Sequence, residues 1–296
     1  MDRFLPSTSS ALDDFATGAW DTVLLPSPGH EVPVRVYRPR EARGWLVWAH
    51  GGSWRSGSSL EWQGACTDLA RIARCTVVNV EYRLLPHRHP AALHDVVTAL
   101  EWAQEQATRE GDGQRLAIGG DSAGGTLAAC AALLWRDRKL PLAAQVLAYP
   151  PLDPSCAAGS YRPDGRFPTQ SGMVAAWQNY RGEGTPVHQG QMRLHSTPFD
   201  EEDLAGVPPA ILAVGELDPV VDDVRRYARL LRAAGTEVDL RILAETPHGV
   251  FCAGTPGWAV HGRQGHVLRH YLGDTLRRRF REPRIESVET SPQEPS

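Results

Sequence analysis

Short runs of apolar residues alternate along this chain with longer segments in which apolar positions recur at helical spacing. The runs 45–49, 75–80 and 210–214 contain few polar residues, which is the pattern of strands buried on both faces. Segment 91–106 instead places its apolar residues on one side of a helix. Because strands that alternate with helices tend to pair in parallel, the pattern predicts an α/β fold with a mostly parallel central sheet and helices on both faces.

The alternation is interrupted between residues 150 and 203, where the chain is rich in Pro, Gly and Ser around one helical piece near 173–180. An insertion after the carboxyl end of a strand is a place where a lid over a site can form, although a surface excursion would have the same composition. We therefore expect a single domain over 1–281, with reduced cap or lid elements at about 1–20 and 150–203. Residues 282–296 lack apolar periodicity, which predicts a disordered tail.

Composition narrows the class of protein without naming a reaction. The 296 residues are 42% hydrophobic and 22% charged, as in ordinary globular proteins, and the net charge of −4 gives no reason to expect nucleic acid or an anionic membrane as a partner. No apolar run reaches transmembrane length, and residues 1–4 do not begin a secretory signal. Five scattered cysteines without C-x-x-C spacing favour a cytoplasmic protein without a disulfide framework or a metal site.

One glycine-rich stretch has the form of a catalytic turn. Residues 119–125 read Gly-Gly-Asp-Ser-Ala-Gly-Gly and contain the frame Gly120-x-Ser122-x-Gly124, between an apolar run and a helical segment. In such a strand–turn–helix context a serine can be held as an exposed nucleophile, and the glycines permit strained backbone angles and close packing. Taken alone, the frame is a weak signal, because glycine-rich turns between a strand and a helix also bind phosphate.

Two further residues stand in the order that an α/β-hydrolase requires, which is Ser, then Asp, then His. Asp218 follows the apolar run 210–214, and His248 follows a second strand-like run, 238–243. Both therefore lie beyond the carboxyl ends of predicted strands, where open α/β sheets build their sites. Each residue also has an ordinary alternative, Asp218 as a turn residue before proline and His248 as one of eleven histidines without a task. Together they would let His248 accept the serine proton while Asp218 orients the imidazole.

A third segment can stabilise a negatively charged oxygen. A predicted buried strand leads into His50-Gly51-Gly52, a sequence typical of the oxyanion loops of lipases and esterases. Glycines let backbone N–H groups approach such an oxygen closely, and Ala123, which follows the nucleophile, can add another N–H group. The alternative is an ordinary tight turn after a strand. We predict an oxyanion hole from Gly51, Gly52 and Ala123, with Ser53 as a further contact.

These motifs resemble the hormone-sensitive-lipase-like family of esterases, the bacterial type-IV carboxylesterases of the α/β-hydrolase fold. The likeness covers about residues 50–248. Tyr-Arg-Leu at 82–84 and Pro-Ala-Ala-Leu-His-Asp at 90–95 are similar to signatures of that family, and Asp-Pro-Val-Val-Asp at 218–222 matches the stretch around its catalytic acid. The residues that the resemblance makes the catalytic triad are Ser122, Asp218 and His248.

The chain differs from that family in the oxyanion loop and in the segment that precedes this loop. Ser53 stands where the family usually has a third glycine, and Trp54 makes the loop closer to the His-Gly-Gly-x-Trp loop of kynurenine formamidase-type hydrolases. Amides and formamides therefore stay open as substrates beside esters. The segment before His50 is short, which leaves little chain for the helical cap of the family. We expect an open pocket to which Trp54, and Trp177 or Phe199 of the insertion, contribute substrate contacts.

The sequence is best interpreted as a carboxylesterase-like serine hydrolase that cleaves a small-molecule ester through an acyl-enzyme intermediate and needs no cofactor. Three alternatives use the same scaffold: an amidase or formamidase, a natural-product cyclase, lyase or acyl transferase, and a non-catalytic ligand-binding receptor. A receptor of this kind would be expected to lack part of the triad, whose three residue types are all present here. A homodimer is compatible with the sequence, and neither nucleic acid nor a membrane is expected as a partner.

Overall fold

The computed structural model describes residues 20–161, 165–182, 187–189 and 192–281. The cap element predicted at about 1–20 lies outside the described residues except for its last position, and the tail predicted over 282–296 lies outside them entirely. Within the described ranges, the predicted α/β fold is confirmed by a central sheet of eight strands.

The strands of the described residues fall into the central sheet and a small hairpin. In chain order they are β1 Asp21–Ser27, β2 His30–Tyr37, β3 Trp45–Ala49, β4 Thr76–Val80, β5 Leu116–Asp121, β6 Ala144–Ala148, β7 Val187–Gln189, β8 Met192–Leu194, β9 Ala210–Gly215 and β10 Val238–Leu243. The central sheet has the order β1-β2-β4-β3-β5-β6-β9-β10, and β7 pairs with β8 apart from it. Neighbours in the central sheet are parallel except at β2, which is antiparallel to both β1 and β4.

The burial of each strand follows its place in the sheet. Strands β3, β4, β6 and β9 are buried at every position, as their largely apolar sequences predict for strands covered on both faces. Strand β2 lies nearer the sheet edge and alternates between buried and partly exposed positions, in line with its alternating sequence. Strand β10 forms the other edge and is partly or fully exposed at every position except Leu243.

The described residues form six helices. They are α1 Gln63–Ala73, α2 Ala91–Arg109, α3 Ala123–Asp137, α4 Gln170–Arg181, α5 Val221–Ala233 and α6 Gly262–Arg281. Helices α1 and α6 pack together against the sheet, whereas α2 and α3 form a second pair against it. Helix α3 is built mainly of Ala, Gly and Leu and is buried from its first residue through Trp135, which lets it lie close against β5 and β6. None of the described helices is long and apolar enough to cross a membrane.

The insertion after β6 contains the helix that the sequence predicts. It carries α4, the β7–β8 hairpin and a single 3₁₀ turn at Pro198–Asp200. Thr169 caps α4 by accepting a hydrogen bond from the Gly172 N–H group at 3.2 Å. The residues of α4 that are buried are Met173, Trp177 and Tyr180.

Candidate active site

Ser122 occupies the sharp turn between β5 and α3. Its backbone has φ 50° and ψ −124°, a conformation that side-chain-bearing residues rarely adopt. Two glycines make the turn feasible, because a Cβ on Gly120 would lie 2.4 Å from the Gly124 backbone and a Cβ on Gly124 would lie 2.0 Å from the Ala49 carbonyl oxygen. The Ser122 N–H group donates to the Ala148 carbonyl oxygen at 2.9 Å. The turn thus holds the serine at the carboxyl edge of the sheet.

The three side chains that the sequence proposes for catalysis form one hydrogen-bonded row. Ser122 Oγ lies 2.9 Å from His248 Nε2. His248 Nδ1 lies 2.9 and 2.8 Å from the two carboxylate oxygens of Asp218. Both the imidazole and the carboxylate are buried, with side-chain exposures of 5% and 0%. If Nδ1–H donates to Asp218, Nε2 is left as the acceptor for the serine hydroxyl.

The loops after β9 and β10 bring Asp218 and His248 together. The two strands are parallel neighbours, so both loops leave the same edge of the sheet. Gly215 permits their close approach, since a Cβ there would lie 2.0 Å from the Thr246 carbonyl oxygen. Asp218 Oδ1 also accepts a hydrogen bond from the Val220 N–H group at 3.0 Å, which fixes the carboxylate.

The oxyanion loop begins with a run of left-handed residues. Gly52, Ser53 and Trp54 have φ values of 119°, 53° and 57°. Glycine is required at 52, because a Cβ there would lie 1.9 Å from the Ser56 carbonyl oxygen. Within the described part of the chain, the N–H groups of Gly52 and Ser53 have no hydrogen-bond partner. The Ala123 N–H group lies in the first turn of α3, where no intrahelical acceptor exists.

Gly51 lies against the Asp121 carboxylate, and its part in the oxyanion hole stays a prediction. Its N–H group interacts with the Asp121 carboxylate and favours the charged form of that side chain. A side chain would not fit at this position, because a Cβ on Gly51 would lie 2.7 Å from Asp121 Oδ2. Among the described residues of the loop, Gly52 and Ser53 therefore offer unpartnered N–H groups, whereas the N–H group of Gly51 faces the Asp121 carboxylate.

Asp121 is a buried carboxylate to which sequence reasoning assigns no task. The indole N–H groups of Trp48 and Trp62 donate to its Oδ1 at 3.2 and 2.8 Å. Burial raises the pKa of Asp121 from its ordinary value of 3.8 to about 7, although these donors and the nearby His248 favour the charged form. Asp121 thus connects β3, the start of α1 and the oxyanion loop.

The family-signature residues Arg83 and Asp95 form an ion pair, and the neighbouring Tyr82 contacts the oxyanion loop. Asp95 is 1% exposed and accepts hydrogen bonds from the guanidinium and backbone N–H groups of Arg83 at 2.8–3.1 Å. His30 Nε2 lies 2.8 Å from the same carboxylate. Tyr82 donates to the His50 carbonyl oxygen at 2.7 Å, and its ring stacks on the His50 imidazole at 4.3 Å. Tyr82 thereby supports the start of the oxyanion loop.

A cavity of about 410 Å³ lies beside the hydroxyl of Ser122. The oxyanion loop with Ser53 forms part of its wall, and Phe167, Pro168 and Met173 of the insertion form another part. The segment predicted as a lid therefore does reach this cavity. Among the described residues, no group of three or more His, Cys, Asp or Glu side chains could hold a metal ion.

Three of the predicted substrate contacts lie elsewhere. Trp54 and Trp177 are each 1% exposed and pack on one another with ring centroids 4.7 Å apart. Phe199 packs edge-on to Tyr227 at 6.2 Å and lies under the guanidinium group of Arg226. None of the three belongs to the described lining of the cavity beside Ser122. An aromatic residue after an oxyanion loop, or in an insertion, can serve packing as well as a substrate, and sequence does not separate the two.

Comparisons with known proteins agree with the fold. The family described as alpha/beta hydrolase fold matches residues 46–252, and the chain belongs to that family. It is 37% identical over 237 residues to the carboxylic ester hydrolase LipN of Mycobacterium tuberculosis, a match that covers 76% of this chain and 62% of LipN. It is 35% identical over 226 residues to the carboxylesterase NlhH of the same species, over 74% of this chain and 71% of NlhH. The chain thus spans less than two thirds of the length of LipN.

Solved structures give the same result. The crystal structure of the esterase LipW from Mycobacterium marinum has a TM-score of 0.76 and 32% sequence identity, and the match covers 92% of this chain and 86% of LipW. These esterase relatives agree with the resemblance of the motifs to the hormone-sensitive-lipase-like carboxylesterases. The formamidase-like interpretation of the oxyanion loop stays a prediction.

Proposed function

We propose that this protein hydrolyses small-molecule carboxylic esters, with Ser122 as nucleophile, His248 as general base and acid, and Asp218 as the group that orients His248. The observation that carries the proposal is the unbroken hydrogen-bonded row from Ser122 Oγ through the imidazole to the carboxylate. The names of LipN and NlhH, both ester hydrolases, support an ester as the substrate class.

Acylation begins when Ser122 Oγ attacks the ester carbonyl carbon and its proton passes to His248 Nε2. The carbonyl oxygen becomes an oxyanion, which the N–H groups of Gly52, Ser53 and Ala123 stabilise. Collapse of this intermediate breaks the bond to the alcohol oxygen, and His248 donates its proton to the departing alcohol. Asp218 stays ionised throughout and stabilises the imidazolium that forms.

Deacylation repeats these steps with water in place of the serine. His248 Nε2 takes a proton from a water molecule, the resulting hydroxide attacks the acyl carbon, and the same N–H groups hold the second oxyanion. When the intermediate collapses, the proton returns to Ser122 Oγ and the carboxylic acid leaves.

The alternatives receive less support from the site. The formamidase alternative depends on Trp54, and this side chain stacks on Tyr180 at 4.2 Å instead of facing the cavity. A ligand-binding receptor would not need the hydrogen-bonded row. Cyclase, lyase and acyl-transferase chemistry could use the same nucleophile, and product analysis by mass spectrometry separates it from hydrolysis.

The test is the Ser122→Ala variant. We expect it to fold normally, to lose labelling by a fluorophosphonate probe and to lower kcat for p-nitrophenyl acetate by roughly 10⁴-fold or more. Ser155→Ala, at an exposed serine outside the cavity, is the matched control and should keep both activities. Near-normal turnover by the Ser122→Ala variant would show that another nucleophile is used.

We further propose a cytoplasmic location, which the state of the cysteines supports. All five are buried and unpaired, as suits a reducing compartment. A homodimer stays a prediction, which light scattering of the purified protein can measure.

A further inference from the structure

Apart from His248, the ionisable side chains in the described wall of the cavity beside Ser122 are acidic. Glu61 and Asp121 are its acidic residues, and its described lining includes no lysine or arginine. Asp121 is buried and accepts two indole N–H groups, whereas Glu61 is exposed. The Ser58 hydroxyl donates to one carboxylate oxygen of Glu61 at 3.2 Å. A cavity lined in this way favours a cationic ligand over an anionic one.

Aromatic rings line the same cavity as Glu61. Trp62 and Trp258 both line the cavity and meet edge-on, with ring centroids 5.8 Å apart and planes at 66°. Trp258 is 38% exposed, and Phe167 on the same cavity is 72% exposed. Large aromatic side chains that stay exposed together mark a binding surface, and an indole face attracts cations.

A second, smaller cavity shows the opposite charge. It has a volume of about 240 Å³ and shares Ser53, Phe167, Pro168 and Met173 with the first. Arg55 lines it, and its described lining includes no acidic residue. A ligand that fills both cavities would therefore turn a positive group towards Glu61 and away from Arg55.

We propose that Glu61, Trp62 and Trp258 form a subsite for a cationic group, so that the preferred esters carry a positive, ammonium-type group on one side of the carbonyl. This inference rests on the proposed function, because Ser122 must cleave the ester that the subsite selects. Glu61 supplies the countercharge and the indoles supply the faces against which the cation packs. Ser58 holds the carboxylate in place.

The test uses pairs of esters that differ only in charge. In acetylcholine the cation is in the alcohol, and 3,3-dimethylbutyl acetate is its uncharged carbon analogue. In the ethyl ester of betaine the cation is in the acyl group, and ethyl 3,3-dimethylbutanoate is the analogue. For at least one pair we expect kcat/KM to favour the cation by about tenfold, which corresponds to about 1.4 kcal/mol. The pair whose preference Glu61→Gln reduces shows which side of the carbonyl occupies the subsite.

Two variants and one control test whether the preference for the cationic ester depends on Glu61 and Trp258. Glu61→Gln should reduce the ratio for the discriminating pair severalfold, mainly through KM, and Trp258→Leu should reduce it further when combined with Glu61→Gln. Because both esters of a pair are measured on both enzymes, differences in intrinsic reactivity cancel. Glu202→Gln changes the net charge equally at an exposed position outside the cavity, so it should leave the ratio unchanged.

Each ester is also measured as a competitive inhibitor of p-nitrophenyl acetate hydrolysis, so that binding is compared even where turnover is slow. Equal constants within both pairs, or a ratio that Glu61→Gln and Glu202→Gln alter alike, would overturn the subsite. Failure of the proposed function gives a different result, in which p-nitrophenyl acetate itself is not hydrolysed or is hydrolysed equally by the Ser122→Ala variant.

Discussion

At the scale of single residues, Asp121 connects the nucleophile to the oxyanion loop. Its carboxylate interacts with the Gly51 N–H group, and it accepts the indole N–H groups of Trp48 and Trp62. A buried carboxylate is costly unless such donors surround it, and here they hold three separate segments together. Asp121 is thus a positioning residue, because it acts through the backbone of the loop and makes no proton transfer in the proposed mechanism.

The raised pKa of Asp121 predicts how the stability of the protein depends on pH. Because the folded state binds this proton more tightly than the unfolded chain does, the contribution of Asp121 to stability is complete below pH 3.8 and is lost as the pH rises to about 7. Asp121→Asn removes the titration. The free energy of unfolding of that variant, minus that of the parent, should therefore increase from about pH 4 to pH 7 and level off above.

Urea unfolding at a series of pH values measures this difference, whose full size would be about 4 kcal/mol if the whole shift were expressed. Asp203→Asn, at an exposed aspartate, is the control and should show no such change. A difference between Asp121→Asn and the parent that stays constant with pH would show that Asp121 keeps an ordinary pKa in the folded protein.

The candidate triad could be predicted from the sequence because each of its residues follows a recognisable strand in a fixed order. The partners of Asp121 could not, since Trp62 is 59 positions away and its surroundings carry no motif. His30 is a similar case, because its contact with Asp95 spans 65 positions. Which N–H groups of the oxyanion loop lack a partner likewise depends on the side chains around the loop, which a glycine pair does not reveal.

At the scale of elements, α4 is attached to the segment that follows the oxyanion loop. Tyr180 stacks on Trp54 at 4.2 Å with nearly parallel rings, and Trp177 packs beside both. His89 N–H donates to the Tyr180 carbonyl oxygen at 2.8 Å, and His89 Nε2 lies 3.1 Å from the Leu194 carbonyl oxygen. Burial lowers the pKa of His89 to about 4, so this imidazole stays neutral and can donate one ring N–H group at neutral pH.

Because α4 packs against Trp54 in this way, Trp177→Ala should lower both the stability of the protein and its kcat. Removal of a large, 1% exposed side chain should lower the free energy of unfolding by about 3–5 kcal/mol. It also removes a ring that supports Trp54, so we expect kcat for p-nitrophenyl acetate to fall more than KM rises. Gln178→Ala, at the next and exposed position of α4, is the control for both measurements. If the free energy of unfolding falls while kcat stays unchanged, Trp177 stabilises the insertion after β6 but does not support the oxyanion loop.

The strands were easier to predict than some other elements. Strands β3, β4, β9 and β10 appear within one residue of the predicted ends. The first three are largely apolar runs bounded by polar turns, which mark buried strands clearly, whereas β10 alternates between apolar and polar residues. Helix α1 gave no comparable pattern, as its buried face is made largely of Ala and Cys. The β7–β8 hairpin consists of three-residue strands, which are too short for periodicity to show.

At the scale of the whole molecule, the candidate site is assembled from segments that are distant in sequence. Loops after β3, β5, β9 and β10 meet at the carboxyl edge of one sheet, and the insertion after β6 adds Phe167, Pro168 and Met173 to the wall of the cavity. The parallel topology explains this meeting, because each crossover returns the chain to the same edge. The fold class and the edge could be predicted from the sequence, but the shape of the cavity depends on the conformation of the insertion.

The size of the cavity predicts which acyl chains the enzyme prefers. A volume of about 410 Å³ lies at the low end of the usual range for ligand sites, and the adjoining cavity adds about 240 Å³. A methylene group contributes about 0.8 kcal/mol to binding only where it is buried, so carbons that extend beyond these cavities gain little. In a series of p-nitrophenyl esters from acetate to palmitate, kcat/KM should therefore peak at a short acyl chain and decline well before twelve carbons. Butyrate and decanoate measured below their micelle-forming concentrations give the sharpest comparison. A maximum at twelve carbons or longer would instead require a deep enclosed channel and would contradict the open pocket.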